Sequence, residues 1–345
     1  MKLAVTALVL SFPLLAQGQQ LEPPYQLDPG ESPPATVSPP PTTPPPTTAT
    51  GSFPALTTNW GHRHPDCPSA ASIESTTCSP SGTIPGGTTL QNCTLNGSVT
   101  FAGDNITLSC VKWDVPSDNA NSGAFCSDSG GCRNIDIVRT TMTGNEVPSG
   151  GPGNGMTFLK LSSGPFSKAY NTMRVEKSVI KGNRVGVILG GGTFDKDGAS
   201  IEPGYAFVMR ESILRQPQYR SSDHSELVAL VETTDGALFE NNLFYCQDGM
   251  TCNTANFLGQ PHNGGTIQNI GIIGNRIVSD STGFAMTFDQ DKTNPGNCVT
   301  RVRFENNVIE SNGSGVWNYG TCPSIQNRTG STCTGNKVNG SPAGC

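Results

Sequence analysis

Two arginines and three acid–base side chains fall close together in one stretch, where Arg215-Gln216-Pro217-Gln218-Tyr219-Arg220 runs into Asp223-His224-Ser225-Glu226. In a chain that is only 14% charged, this concentration stands out. Arginine holds a carboxylate through two parallel N–H bonds, and a histidine or carboxylate beside it can take or give a proton. The chemistry that follows is capture of an acidic substrate. Arg215 or Arg220 would bind or deprotonate it, and Asp223, His224 and Glu226 would orient it or protonate a leaving oxygen. The competing reading is a salt-bridged loop with no chemistry.

Two further sets could act on the same kind of substrate. Asp195-Lys196-Asp197 and Asp289-Gln290-Asp291-Lys292 are acidic turns, each following an apolar strand, so both are expected on one side of the fold. Asp289 and Asp291 could hold Ca²⁺, the candidate cofactor, or such carboxylates could pair as general acid and base; solvated turns are the alternative. Tyr205, Tyr219, Tyr245, Trp317 and Tyr319 could stack on sugar rings, with Trp317 and Tyr319 at alternate positions of one strand and so on one face. Packing explains the aromatic residues equally well. No Gly-x-Ser-x-Gly elbow and no Cys-x-x-Cys is present, which argues against a serine hydrolase and a zinc site.

The elements that must position these residues repeat. Phe239-Glu240-Asn241-Asn242-Leu243-Phe244 returns as Phe304-Glu305-Asn306-Asn307-Val308-Ile309, and related segments begin at Val138, Val175, Met209 and Ile273, at intervals of 30 to 37 residues. Leu90–Leu95 fits the same template, and a second apolar strand follows most copies, as in Val185–Leu189, Leu227–Val231 and Phe284–Phe288. No segment sustains apolar residues at helical spacing. Short strands that recur without hairpin-length turns must pair with the next repeat. This predicts an all-β, right-handed parallel β-helix of about eight coils between Leu90 and Tyr319, with an irregular cysteine-containing segment at each end. Asn241, Asn275 and Asn306 are expected to share one position, where stacked amides could bond along the axis.

Met1-Lys2, the apolar run Leu3 to Leu15 and Ala16-Gln17-Gly18 read as a secretory signal peptide, residues 1–18. Residues 19–53 are dominated by Pro and Thr and form an expected extended stalk, leaving 54–345 as the folded domain. The net charge of −6 gives a nucleic-acid partner no electrostatic support, and no later run approaches the length of a membrane span. Twelve cysteines in an exported chain predict disulfides, with neighbours pairing: Cys93 with Cys110, Cys126 with Cys132, Cys246 with Cys252 and Cys333 with Cys345. Glycosylation sequons at Asn92, Asn96, Asn105, Asn312, Asn327 and Asn339 crowd the two ends and leave the middle bare.

Asp104-Asn105-Ile106-Thr107-Leu108, the Asn-Asn-apolar rungs and Asp223-His224-Ser225-Glu226 together resemble the secreted right-handed parallel β-helix superfamily that includes pectate-lyase-like proteins. The resemblance covers approximately Leu90 to Tyr319. Arg215 to Arg220 is similar to that family's Arg-x-Pro-x-x-Arg motif, whose first arginine takes a proton from the sugar, and Asp223-His224 is similar to its Asp-His motif. Here the two motifs stand in reversed order with almost no gap, which puts the carry-over in doubt. The polygalacturonase residues are missing: there is no Asp-Asp pair, Gly-His-Gly or Arg-Ile-Lys. The resemblance implies a secreted, extracellular protein acting on a uronate-containing polysaccharide by lyase-like cleavage or epimerisation. The alternative class is a non-catalytic protein that binds cell-wall glycan or another surface.

Overall fold

A computed structural model describes residue 54 and 59–345, apart from 116–123, 127–131, 145–156, 163–170, 183–184, 191–193, 216–225, 247–254, 263, 280–283, 292–293, 295 and 312–314. The expected signal peptide and stalk lie outside the described residues, as do Asn312 and Cys252.

The chain winds as a parallel β-solenoid whose coils each contribute to three sheets. The first sheet starts at Thr83–Pro85 and ends at Gly315–Asn318, the second runs from Thr89–Gln91 to Thr332–Thr334, and the third from Thr94–Asn96 to Ser341–Pro342. They contain nine, nine and ten strands, so the coil count differs slightly from the expected eight. All pairings between neighbouring strands are parallel except the last, where Lys337–Val338 pairs antiparallel with Ser341–Pro342. Each coil has three strands where two were visible in the sequence. The repeated template covers the end of a second-sheet strand, a tight turn, and the third-sheet strand that follows it.

Stacking in register puts like residues above one another. Val187, Val228, Phe257 and Met286 form one inner column of the first sheet. Met209, Phe239, Ile272 and Phe304 form one in the second, and Ile180, Leu214, Phe244, Ile277 and Ile309 one in the third. All are buried. Burying each such side chain contributes roughly 1.5–3 kcal/mol, and the sum over many coils sustains a chain with little helix.

The turn between the second and third sheets explains the Asn-Asn rungs and corrects their register. Its first residue is left-handed in every coil: Asn92, Cys110, Arg139, Lys177, Glu211, Asn241, Gly274, Asn306 and Gly335 have φ between 45° and 69°. Asn and Gly tolerate that conformation best. The next residue points inward and builds the ladder. Asn275 Oδ1 accepts from Asn242 N (2.8 Å) and Asn242 Nδ2 (3.1 Å), Asn307 does the same for Asn275, and Asn336 for Asn307. Ser212, Ser178 and Thr140 continue the column, with Ser178 N donating to Ser212 Oγ and Thr140 N to Ser178 Oγ. The stacked amides are therefore Asn242, Asn275, Asn307 and Asn336, and the expected set of Asn241, Asn275 and Asn306 mixes two positions. The copies read as starting at Ile273 and Val138 start one residue earlier, at Ile272 and Ile137, because Ile272 pairs with Phe239 and Ile137 with Val175.

Five described disulfides close the ends and loops: Cys67–Cys110, Cys78–Cys93, Cys126–Cys132, Cys298–Cys322 and Cys333–Cys345. Cys246 is also bonded. The expected Cys93–Cys110 bridge does not form, because the two occupy different turn positions. Asn92, rather than Cys93, is the left-handed residue stacked in register with Cys110. Among the described residues, no helix is long and apolar enough to cross a membrane.

Candidate functional site

Arg215 ends the third-sheet strand Ile213–Arg215, and Glu226 opens the next first-sheet strand, Glu226–Val231. Tyr219, Arg220, Asp223 and His224 lie between them, outside the described residues. Glu226 is buried, 2% exposed. Arg215 instead stands on the outer face of the third sheet, paired in register with Lys181 and Tyr245 of the adjoining coils.

That face is where the amino-terminal segment returns. Trp60 packs on the outward side chains Ile213, Leu243 and Val278. Gly61 N donates to Lys177 O (3.0 Å) and His62 N to Thr141 Oγ1 (3.2 Å). Gly61 has φ +67°, and a Cβ there would collide with Thr141 Oγ1, so only glycine lets the segment lie this close. Asp66 accepts from Arg139 (3.0 Å), and the Cys67–Cys110 disulfide pins the segment. The helix Ala70–Glu74, capped by Ser69, follows and brings Glu74 back over the sheet.

Between this segment and the sheet is a cavity of about 260 Å³. Among the described residues, four basic side chains line it, Arg63, Lys112, Lys181 and Arg215, and one carboxylate, Glu74. Lys112 also meets Asp114 at 3.0 Å. In a chain of net charge −6, the described lining is a local reversal of sign. On the second sheet's outer face Arg210 is clamped by Glu202 (2.5 and 2.7 Å) and Glu240 (2.6 Å), and Arg303 by Glu305 (2.9 Å). Burial opposes the charged form, but the hydrogen bonds that both arginines donate to those carboxylates leave them above their ordinary pKa.

His62 lines the cavity with its side chain 5% exposed. Its Nε2 lies 3.4 Å from Glu74 Oε1. Burial lowers its pKa, and the hydrogen bond it donates to Glu74 offsets this only in part. Trp60 and His62 were not picked out in the sequence. The available signal was Trp60-Gly61-His62-Arg63-His64, which gathers two of the four histidines and one of three tryptophans into five residues.

The other expected sites are placed as follows. Both acidic turns follow first-sheet strands, Val185–Gly190 and Phe284–Phe288, as expected. Asp289 accepts from Gln260 Nε2 (3.4 Å) and Gln290 N (2.7 Å), and buried Asp291 accepts from Gly264 N (2.6 Å). Asp195 and Asp197 approach Asp235, with oxygens within 4.8 Å of one another, and Asp235 also accepts from Gln268 and Asn269. Trp317 and Tyr319 stack (6.2 Å, 13°), Trp317 sits edge-on to Phe304 (5.1 Å), and Arg328 covers Tyr319 at 5.2 Å. Tyr245 packs beside the Trp60 patch, and Tyr205 is buried against Val208, Leu238 and Ile273.

No protein-family model, curated protein or solved structure matches the chain.

Proposed function

We propose that the chain is a secreted protein of the pectate-lyase-like β-helix kind that engages a uronate-containing extracellular glycan and cleaves or epimerises it. One observation carries the reading: Arg215, the arginine singled out for uronate binding, lines a cavity that has four basic side chains among its described residues, in an otherwise acidic protein. Guanidinium binds carboxylate bidentately, and the basic wall selects acidic over neutral sugars. In the lyase step an arginine base removes the proton at C5 of the uronate. The C4–O bond then breaks, a C4=C5 double bond forms, and the leaving oxygen takes a proton. Export is supported by the signal-like residues 1–18 and the disulfides.

A binding reading without turnover has its own support. Among the described residues, the cavity's one carboxylate, Glu74, already engages His62 and is not paired with a second acid. Incubation of the purified protein with a panel of polysaccharides, following absorbance of unsaturated uronates alongside reducing ends, separates the two. Unsaturated product supports the lyase. Retention of acidic glycan without product supports binding, and no interaction with any acidic glycan refutes both.

A further inference from the structure

The Asn-x-Ser/Thr sequons are not equivalent in the folded chain. Asn96, Asn105, Asn327 and Asn339 are exposed, and the hydroxyl residue that completes each sequon, Ser98, Thr107, Thr329 or Ser341, is at least partly exposed. Asn92 is half-buried. Its Thr94 is 8% exposed and donates to Ile73 O (3.2 Å), and the intervening Cys93 is bonded to Cys78. An oligosaccharide there would have to be accommodated against that bridge.

An asparagine amide carries two N–H bonds, and a sugar takes the place of one. Among the described residues, Asn327 Nδ2 donates only to Ser324 Oγ (2.9 Å) and Asn339 Nδ2 only to Ser311 O (3.1 Å), so each keeps a second N–H. Asn105 uses its Oδ1, which accepts from Asn134 Nδ2 (3.0 Å). The local bonding therefore survives modification.

These asparagines stand at the two ends of the solenoid. Asn96 ends the first strand of the third sheet, and Asn105 leads into Ile106–Ser109, which pairs with the outermost second-sheet strand Thr89–Gln91. Asn327 ends the short turn Ile325–Asn327 ahead of Thr332–Thr334, and Asn339 lies in the turn between Lys337–Val338 and Ser341–Pro342. The third sheet closes its own ends. Thr76 and Cys78 bond the backbone of Thr94 at one end, and Ser341–Pro342 lies outermost at the other, where proline has no N–H to offer. The second sheet does not: among the described residues, Thr89–Gln91 and Thr332–Thr334 have no strand beyond them. Open edges of this kind pair with a second copy unless something covers them.

We propose that Asn96, Asn105, Asn327 and Asn339 are N-glycosylated, that Asn92 is not, and that the oligosaccharides keep the open ends of the second sheet from pairing with another copy of the chain. In the modification, Nδ2 attacks the anomeric carbon of a lipid-linked diphospho-oligosaccharide. The C–N bond forms as the C–O bond to the diphosphate breaks, and Nδ2 releases one proton. The inference rests on the export part of the proposed function and not on its substrate.

The test uses the protein purified from the medium of its own source cells. Peptide mapping after an endoglycosidase that leaves the first sugar in place should find that sugar on Asn96, Asn105, Asn327 and Asn339, with the Asn92 peptide bare. Light scattering before and after the same digestion reads the shielding: the average mass should roughly double once the oligosaccharides are trimmed, with the far-UV spectrum unchanged. Ser98→Ala and Thr329→Ala each destroy a sequon without touching its asparagine, and together they should raise self-association at matched concentration. A secreted chain with bare asparagines at either end overturns the inference and leaves export standing. So does Asn92 modified as fully as the others, or a chain that stays monomeric after trimming. A chain absent from the medium removes export and this inference together.

Discussion

Replacing Asn275 by alanine probes the internal ladder at its middle. The side chain is fully buried; its Oδ1 accepts from Asn242 N and Nδ2, and its Nδ2 donates to Phe239 O (2.9 Å) and Asn307 Oδ1. Alanine leaves the buried Asn242 N–H without its partner and removes the two bonds that the Asn275 amide donates to Phe239 O and Asn307 Oδ1. At about 1–3 kcal/mol for the unmet donor and about 0.5–1.5 kcal/mol for each lost bond, the expected loss is roughly 2–6 kcal/mol. The natural comparison is Asn241→Ala, one turn position earlier, where φ is 55° and the cost is the left-handed penalty of roughly 1–2 kcal/mol. At about 2 °C per kcal/mol for a chain of this size, calorimetry should show Asn275→Ala melting roughly 4–12 °C lower and Asn241→Ala no more than about 4 °C lower. Asn241→Gly should be close to neutral, since glycine adopts that φ freely. If Asn275→Ala costs no more than Asn241→Ala, the assignment of the ladder to Asn242, Asn275, Asn307 and Asn336 is wrong.

The remaining predictions concern the two ends. The Cys67–Cys110 bridge closes a separation of 43 residues, so the Cys67→Ser, Cys110→Ser double variant should lose about 4 kcal/mol by the loop-entropy relation, with its far-UV spectrum unchanged. His62 and His64 both have folded pKa values below 6.5, so the unfolded chain binds protons first as pH falls. Their contribution to stability is present above about pH 6.5 and is lost as pH drops towards the folded values; a His62→Gln variant should show a shallower acid-side fall in melting temperature. Arg328 is 5% exposed and donates to the carbonyls of Pro323 (2.8 Å), Phe288 (2.9 Å) and Val299 (3.1 Å). Burial pushes its pKa down to about 10, yet it remains charged at neutral pH. Arg328→Met should cost roughly 3 kcal/mol or more in denaturant titration by leaving those carbonyls unmet.

The sequence disclosed the solenoid because stacking demands similar residues at similar positions, and Phe239 to Phe244 against Phe304 to Ile309 meets that demand openly. Register was harder where two apolar residues stand side by side. Ile272 and Ile273, and Ile137 and Val138, offer no contrast between inward and outward positions, and both copies were read one residue late. The third strand of each coil was hidden in the same template because the turn before it is only two residues long. Short bridges such as Cys126–Cys132 followed from proximity along the chain, whereas Cys67–Cys110 depends on the amino-terminal segment folding back over the third sheet. That return also kept most of the cavity out of view. Arg215 was legible as one of a dense local group, but Trp60, His62, Lys112 and Lys181 meet it only after coils are stacked.

The most direct test of acidic-glycan recognition at the third-sheet cavity is calorimetric titration of the full chain with polygalacturonate and with a neutral galactan. It should be run between about 0.05 and 0.2 M salt, for the native protein and for Arg215→Gln combined with Lys181→Gln. The account predicts saturable binding of the acidic polymer alone, weakening as salt rises, and at least about tenfold weaker in the double variant. Equal binding of both polymers, or acidic binding unaffected by the two substitutions, would contradict it.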